Sequence, residues 1–490
     1  MKKLISLLLL AVLSAGSFTA CKKFLDVEPK YIQDAESFFN SRTDYELALI
    51  GAYDLLQSAF MIQWIGEIAS DNAIAGGESV TDTEGLHQID NMNHNAVNND
   101  LRNVFRWNYT GIARCNYIME FKDKTQFTGK EQIIGETRFL RAYYYFELVK
   151  FFGDVPLVID KRLGTEEVTR ISRTPKAQVY QQIEADLNYA IDNIIWNNPV
   201  KGRADKGAAL ALLGKVYLYQ NKFTEAAQTL DRVINEGGYS LVPDFDFLWY
   251  AVNENNSETV FDVEYTGAEG GSYGCLICLE GNAAPGFHGI RQYNGPKYGD
   301  GNSYNLPTAA LYNAFAPGDV RRDYTVLDLD AFIAAQPNPS AITYAIGGGG
   351  HTGYFNNKYI KRLDELGLPD NDLTSPLNYK AIRYADVLLM AAEAHNRTGN
   401  DGLALNYINQ VRNRVGMPLI TSGGSALLED IYLERRYELS CEGLRFFDLV
   451  RTGQAAQYIT GFQVGKHEVF PIPQVEIDLA GGNWQQNPGY

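Results

Sequence analysis

The chain has 490 residues, 43 of them basic and 59 acidic, for a formal charge of −16 at pH 7. So acidic a balance argues against nucleic acid as a partner and against polybasic attachment to anionic lipid, and leaves neutral ligands and protein surfaces open. Apolar residues make up 45% and there are 31 tyrosines, enough for a substantial core, while five cysteines are too few for a disulfide scaffold.

The first residues read as a secretion leader. Lys2 and Lys3 give a positive start, Leu4 to Leu13 an apolar run too short to span a bilayer, and Ser17-Phe18-Thr19-Ala20-Cys21 a lipobox. Residues 1–20 are thus expected to be a lipoprotein signal peptide, with Cys21 as the lipid attachment point. Acyl chains on one residue, each buried CH₂ adding about 0.8 kcal/mol, tether a protein without a transmembrane helix. No later stretch approaches about eighteen consecutive apolar residues, since even Ala385 to Ala394 contains Asp386 and Glu393. Residues 21–490 show no compositional break that would mark a linker and are read as one body.

Helical periodicity then predicts four helix pairs. Tyr45 to Ser58 with Val104 to Lys122 is the least regular, with a long insertion between its helices, and Glu136 to Phe152 with Val179 to Ile195 is the next. Ala204 to Gln220 carries Leu213-Gly214-x-x-Tyr217 and Phe223 to Asn235 carries Glu225-Ala226-Ala227, the tetratricopeptide pattern in which small residues let antiparallel helices approach. Tyr384 to Thr398 with Leu403 to Arg414 completes the set. The expected fold is mainly α, with tetratricopeptide-like helix pairs as a scaffold and a loop-rich region bearing short strands.

Two insertions, near 71–103 and 266–307, are displayed on that scaffold. The second is glycine-rich, and interleaves Tyr273, Phe287, His288, Tyr293, Tyr298 and Tyr304 with few aliphatics. Exposed aromatic faces on a rigid support suit sugar rings or peptide side chains, so these residues are ligand-binding candidates; burial of a given ring within the loop is the alternative. Cys275-Leu-Ile-Cys278 has redox or zinc spacing but no second CxxC or paired histidines, and reads as a local disulfide or two free thiols. Trp107, Trp196, Trp249 and Trp484 read as core or loop packing, and Gly347 to Gly350, lacking the lysine of a phosphate loop, as flexible surface. No HExxH, GxSxG or GxxxxGK[ST] occurs. Neither catalysis nor a metal or organic cofactor is expected.

Several long motifs strongly resemble the SusD/RagB family. They are Glu136-Thr-Arg138-Phe139-Leu140-Arg141 through Phe152-Gly153-Asp154-Val155-Pro156-Leu157; Asn378 to Ala394 around Arg383-Tyr384-Ala385-Asp386; Glu434-Arg435-Arg436-Tyr-Glu438-Leu439 running into Glu442-Gly443-Leu-Arg445-Phe-Phe-Asp448; and Pro471-Ile472-Pro473-Gln474 with the ending Gln486-Asn487-Pro488-Gly489-Tyr490. Phe24-Leu25-Asp26 fits the family's usual beginning. The charged signature residues, at helical spacings, are expected to hold helices together as ion pairs. The resemblance implies a lipid-anchored protein on the outer face of the outer membrane that captures an oligosaccharide and closes over a SusC-like TonB-dependent transporter. By region it adds Asp71, Asn72 and Arg102 as hydrogen-bonding candidates. RagB-like binding of peptides or another nutrient for the same kind of transporter is the rival cargo, and a scaffold without a ligand of its own the third class.

Overall fold

The computed structural model describes residues 38–366 and 372–490; the lipobox, Cys21 and Phe24-Leu25-Asp26 lie outside them. In chain order the main elements are α1 (Arg42–Asp54), α2 (Ala59–Ile68), β1 (Ala73–Ala75), α3 (Asn99–Glu120), α4 (Lys130–Phe152), α5 (Lys176–Asn193), α6 (Lys206–Tyr219), α7 (Phe223–Glu236) and β2 (Thr259–Val263). They continue with β3 (Asn305–Pro307), β4 (Val326–Asp328), β5 (Tyr354–Asn356), β6 (Tyr379–Arg383), α8 (Tyr384–Arg397), α9 (Asp401–Arg414), α10 (Gly424–Leu439) and α11 (Arg445–Arg451). The architecture is mainly helical, and the strands pair only two by two among the described residues.

All four expected helix pairs are present: α1 against α3, α4 against α5, α6 against α7, and α8 against α9. Side chains start the helices where the backbone donors need acceptors. Ser41 and Asp44 form a capping box on α1, Asn98 caps α3 and Asp205 caps α6. The tetratricopeptide glycine has a visible purpose, since a Cβ on Gly214 would lie 2.5 Å from the Leu230 side chain of α7. Gly111 is likewise pressed onto the Tyr144 ring, so α3 and α4 touch almost backbone to ring. Trp107, Trp249 and Trp484 are buried in the main apolar cluster and Trp196 packs on its edge, as the sequence predicts.

The loop-rich region is less open than its composition suggests. Tyr293 and Tyr298 sit in a second apolar cluster with Ile290, Leu306, Leu327, Leu329, Phe355 and Ile360. Half of that cluster comes from 327–360, outside the insertion, which is why the insertion alone looks too poor in aliphatics to build a core. The two insertions are joined to each other, because β1 and β3 pair antiparallel with Ile74 opposite Leu306. Cys275 and Cys278 form a disulfide, and Cys115 and Cys441 are buried free thiols. Gly347 to Gly350 lies at the surface, as expected, but is held there: Gly348 donates to the Glu78 carbonyl at 2.7 Å, and a Cβ on Gly347 would stand 2.0 Å from the Gly77 oxygen. Two glycine stretches therefore lie main chain on main chain, a contact that side chains would block.

Candidate functional site

The charged signature residues form the ionic centre of the scaffold. Arg383, at the end of β6, is 1% exposed and reaches Glu258 at 2.9 Å, Glu438 at 2.5 Å and both oxygens of Glu442 at 2.8 Å. Arg321 adds Asp319, Glu434 and Glu438, Lys358 adds Glu442 at 2.6 Å, and Arg414 also pairs with Glu438. Burial works against ionisation of Glu438, but Arg414, Arg383 and Arg321 outweigh it and hold its carboxyl well below the usual range. A neighbouring group joins Asp386 of α8 to Lys215 at 3.1 Å and Arg435 at 2.8 Å. Arg141 of α4 forks onto Asp186 of α5 at 2.7 and 2.8 Å, while Arg138 lies over the Tyr189 ring. These groups spend their charge on one another and tie helices distant in sequence; they present no chemistry to a ligand.

Asp71, Asn72 and Arg102 are occupied in the same way. Asp71 bridges Arg445 and Arg436, each at 2.8 Å. Asn72 is fully buried and accepts from Arg436 at 2.9 Å, and Arg102 pairs with Glu476 at 2.9 Å. These contacts fasten the first insertion to α10, α11 and the C-terminal segment, so none of the three is poised for a ligand in this conformation.

The aromatic candidates divide by burial. Phe287, His288, Tyr293 and Tyr298 are all buried. His288 faces the Tyr359 carbonyl through Nδ1, and burial pushes its pKa down to about 3 against the pull of that backbone contact. The Tyr298 hydroxyl donates to Asn357 at 3.2 Å and that of Tyr293 to the Pro296 carbonyl at 3.0 Å. Tyr273 is 55% exposed and Tyr304 is half-buried. Their rings are not isolated. Tyr273 and Phe287 centroids lie 6.3 Å apart and Phe287 and Tyr304 5.6 Å, with Trp64 of α2 behind them at 4.5 Å from Phe287 and 5.8 Å from Tyr304. Trp64 is invisible to sequence reasoning; an indole in the apolar run Ala59–Ile68 reads as core, and its one unusual mark is the company of Gln63 and Glu67.

Around this row, polar atoms are left without partners. Trp64 Nε1, His288 Nε2, Asn302 Oδ1 and Asn305 Nδ2 are buried and unbonded, as are Trp107 Nε1, Trp249 Nε1 and Arg414 Nε in the scaffold. The glycine ledge of Gly76, Gly77 and 347–350 runs alongside Tyr304, which lies 3.2 Å from where a Gly77 Cβ would be. Beyond it Arg291 pairs with Glu78 at 2.7 Å. The result is an aromatic face bordered by bare backbone, amides and a charged pair. Among the described residues, no His, Cys, Asp or Glu group could hold a metal ion, and no helix is long and apolar enough to cross a membrane.

The fold is shared with known proteins. A family profile described as the SusD family matches residues 338–469, and one described as starch-binding and associating with the outer membrane matches residues 23–218. A solved laminarin-binding SusD-like protein is 35% identical, with 92% of this chain and all of that one covered at a TM-score of 0.84. Surface glycan-binding protein A from Bacteroides thetaiotaomicron, solved with laminarihexaose, is 25% identical over 91% of this chain and 99% of its own, with a TM-score of 0.82. A SusD-like protein of Formosa agariphila is 26% identical over 93% of this chain and 92% of its own length. The chain belongs to the SusD family.

Proposed function

We propose that this protein is a lipid-anchored receptor of the outer-membrane surface that captures laminarin-type oligosaccharides and passes them to a SusC-like TonB-dependent transporter. The observation that carries the sugar class is the 35% identity, over essentially the whole of both chains, to a laminarin-binding relative. The geometry supports it. Tyr273 and Tyr304 offer ring faces to the apolar side of a sugar, and Asn302 and the Arg291–Glu78 pair stand at the edges for hydroxyls. The ligand is bound and not turned over, and Cys21 carries the lipid. Nothing in this face favours a peptide cargo over a sugar.

Calorimetric titration of the body from Lys22 onward with laminarihexaose, maltohexaose and a mixed tripeptide pool tests this reading. Saturable binding of laminarihexaose, weakened in Tyr273→Ala and Tyr304→Ala and with the sugar recovered intact, is the expected result. Preference for the peptides or for maltohexaose would overturn the assigned cargo. Release of a Cys21→Ala precursor from the membrane fraction checks the anchor.

A further inference from the structure

A second recess lies away from the aromatic row, between α1, the loop 200–203 and the free edge of β2, and encloses about 610 Å³. Its exposed wall is aliphatic: Leu47, Ile50 and Val200 are each more than half exposed. Its floor is acceptor-rich. Asp262 is 2% exposed and leaves Oδ1 without a donor, and the buried oxygens Glu264 Oε1 and Gln57 Oε1 are likewise unpaired. Glu280 completes the floor and accepts from the Gln57 amide at 3.3 Å. The cations nearby are mostly spent elsewhere. Arg203 pairs with Glu46 at 2.7 Å and Glu136 at 3.2 Å, Arg114 pairs with Asp54, and Lys201 stands exposed at the rim. Lys380 reaches Asp262 only through the other oxygen, at 3.4 Å, and is shared with Glu254. Burial pushes the Asp262 carboxyl up from its ordinary range in spite of Lys380, so its charge is incompletely matched.

We infer that this recess is a docking site for a partner protein, which inserts a lysine or arginine side chain flanked by aliphatic residues. An ammonium or guanidinium brings only donors, which suits the partly exposed carboxylates of Glu264 and Glu280 in the lining, with the buried, incompletely matched Asp262 behind them. The alkyl stem of the same side chain, and its aliphatic neighbours, cover Leu47, Ile50 and Val200. A sugar fits this chemistry less well, because the exposed wall has no open ring face: Tyr53, the ring in the lining, is tied by its hydroxyl to Glu136 at 2.9 Å. The site is independent of the glycan assignment.

The test is methyl-resolved NMR of the soluble body, titrated with the blocked peptides Gly-Leu-Lys-Leu-Gly, Gly-Leu-Arg-Leu-Gly and Gly-Leu-Gln-Leu-Gly. Saturable shifts of the Leu47, Ile50 and Val200 methyls by the two basic peptides are expected, with about tenfold weaker binding of the glutamine peptide. Glu264→Gln, and separately Ile50→Lys at an exposed position that needs no refolding of the core, should each remove that preference while laminarihexaose binding stays as in the wild type. Equal binding of all three peptides, an undiminished response in Glu264→Gln, or no shift at about 10 mM peptide would overturn the inference.

Discussion

The scaffold and the loop face solve the problem of buried polarity to different degrees. Around Arg383 every carboxylate in reach has a cation, and three acids, from the turn before β2, from α10 and from the turn after α10, converge on one guanidinium. Around Trp64 and Tyr304 the rings are packed but Trp64 Nε1, His288 Nε2, Asn302 Oδ1 and Asn305 Nδ2 are unmatched. A matched network specifies one arrangement, whereas an unmatched buried group relies on its surroundings to hold it; the contrast is one of degree, since Arg414 Nε and Trp249 Nε1 beside the Arg383 network are also unpaired. The family motifs are concentrated in the first region and the proposed ligand face is the second, so resemblance in sequence speaks to architecture before it speaks to cargo.

The largest effect should come from breaking the matched region. Arg383→Met removes one cation from three buried carboxylates and should cost about 3–5 kcal/mol of unfolding free energy, measured by urea denaturation. Laminarihexaose affinity of the folded fraction should change less than about twofold, since the side-chain partners of Arg383 are Glu258, Glu438 and Glu442 and none of the ligand candidates. A large affinity loss at unchanged stability would make Arg383 part of the ligand site and dissolve the contrast.

Acid separates the regions next. His288, held at about 3, binds no proton in the folded protein between pH 6.5 and 3, whereas the unfolded chain does. The unfolded state therefore gains protons as pH falls through that window, and stability is lost. Glu438 and Asp386 lose stability in the same direction but in a lower window; their depressed folded values make a contribution that is complete above about pH 5 and fades only at lower pH. Asp90 and Asp100, raised to about 6 by burial, gain stability as pH falls from 6 towards 4, so only a difference isolates the histidine. The stability advantage of wild type over His288→Gln should shrink by about 2 kcal/mol between pH 7 and pH 5. A constant gap would show that the loop face already admits water to His288.

How much of this the sequence can show follows from where each residue finds its partners. Gly214 meets Leu230 within one helix hairpin and Arg141 meets Asp186 across another, so the helix pairing that the spacing reveals already brings the right segments together. Asp71 and Asn72 find Arg436 and Arg445 more than 360 residues away, and nothing near them in the chain reveals that they are already bound. The rings of 266–307 read as exposed because their apolar partners, Trp64 on one side and Leu327, Phe355 and Ile360 on the other, belong to remote segments. A glycine-rich insertion looks coreless until the segments that fill it are known.

Within the loop face, Tyr304 and Tyr273 should differ in kind. Tyr304→Ala removes a ring that supports Phe287 and Trp64 as well as offering a face, and should lower laminarihexaose affinity by about 1–2 kcal/mol, roughly five- to thirtyfold, with a measurable loss of stability. Tyr273→Ala should reduce affinity with stability within about 0.5 kcal/mol of wild type, its side chain being mostly in solvent. Calorimetry paired with thermal denaturation reads both.

The smallest effect concerns what keeps Tyr273 in place. The Cys275–Cys278 disulfide closes a very short loop just after it, so the chain entropy it removes is limited. Leu276 and Ile277, inside that loop, pack against the main apolar cluster and anchor it a second time. Reduction, or the double change Cys275→Ser and Cys278→Ser, should therefore cost about 0.5–1 kcal/mol of ligand preorganisation, a two- to fivefold weaker laminarihexaose affinity, without moving the global unfolding transition. An affinity loss as large as that of Tyr273→Ala would mean that the disulfide alone positions the ring; no loss at all would assign the task to Leu276 and Ile277, and make the loop face as firmly built at this point as the scaffold beneath it.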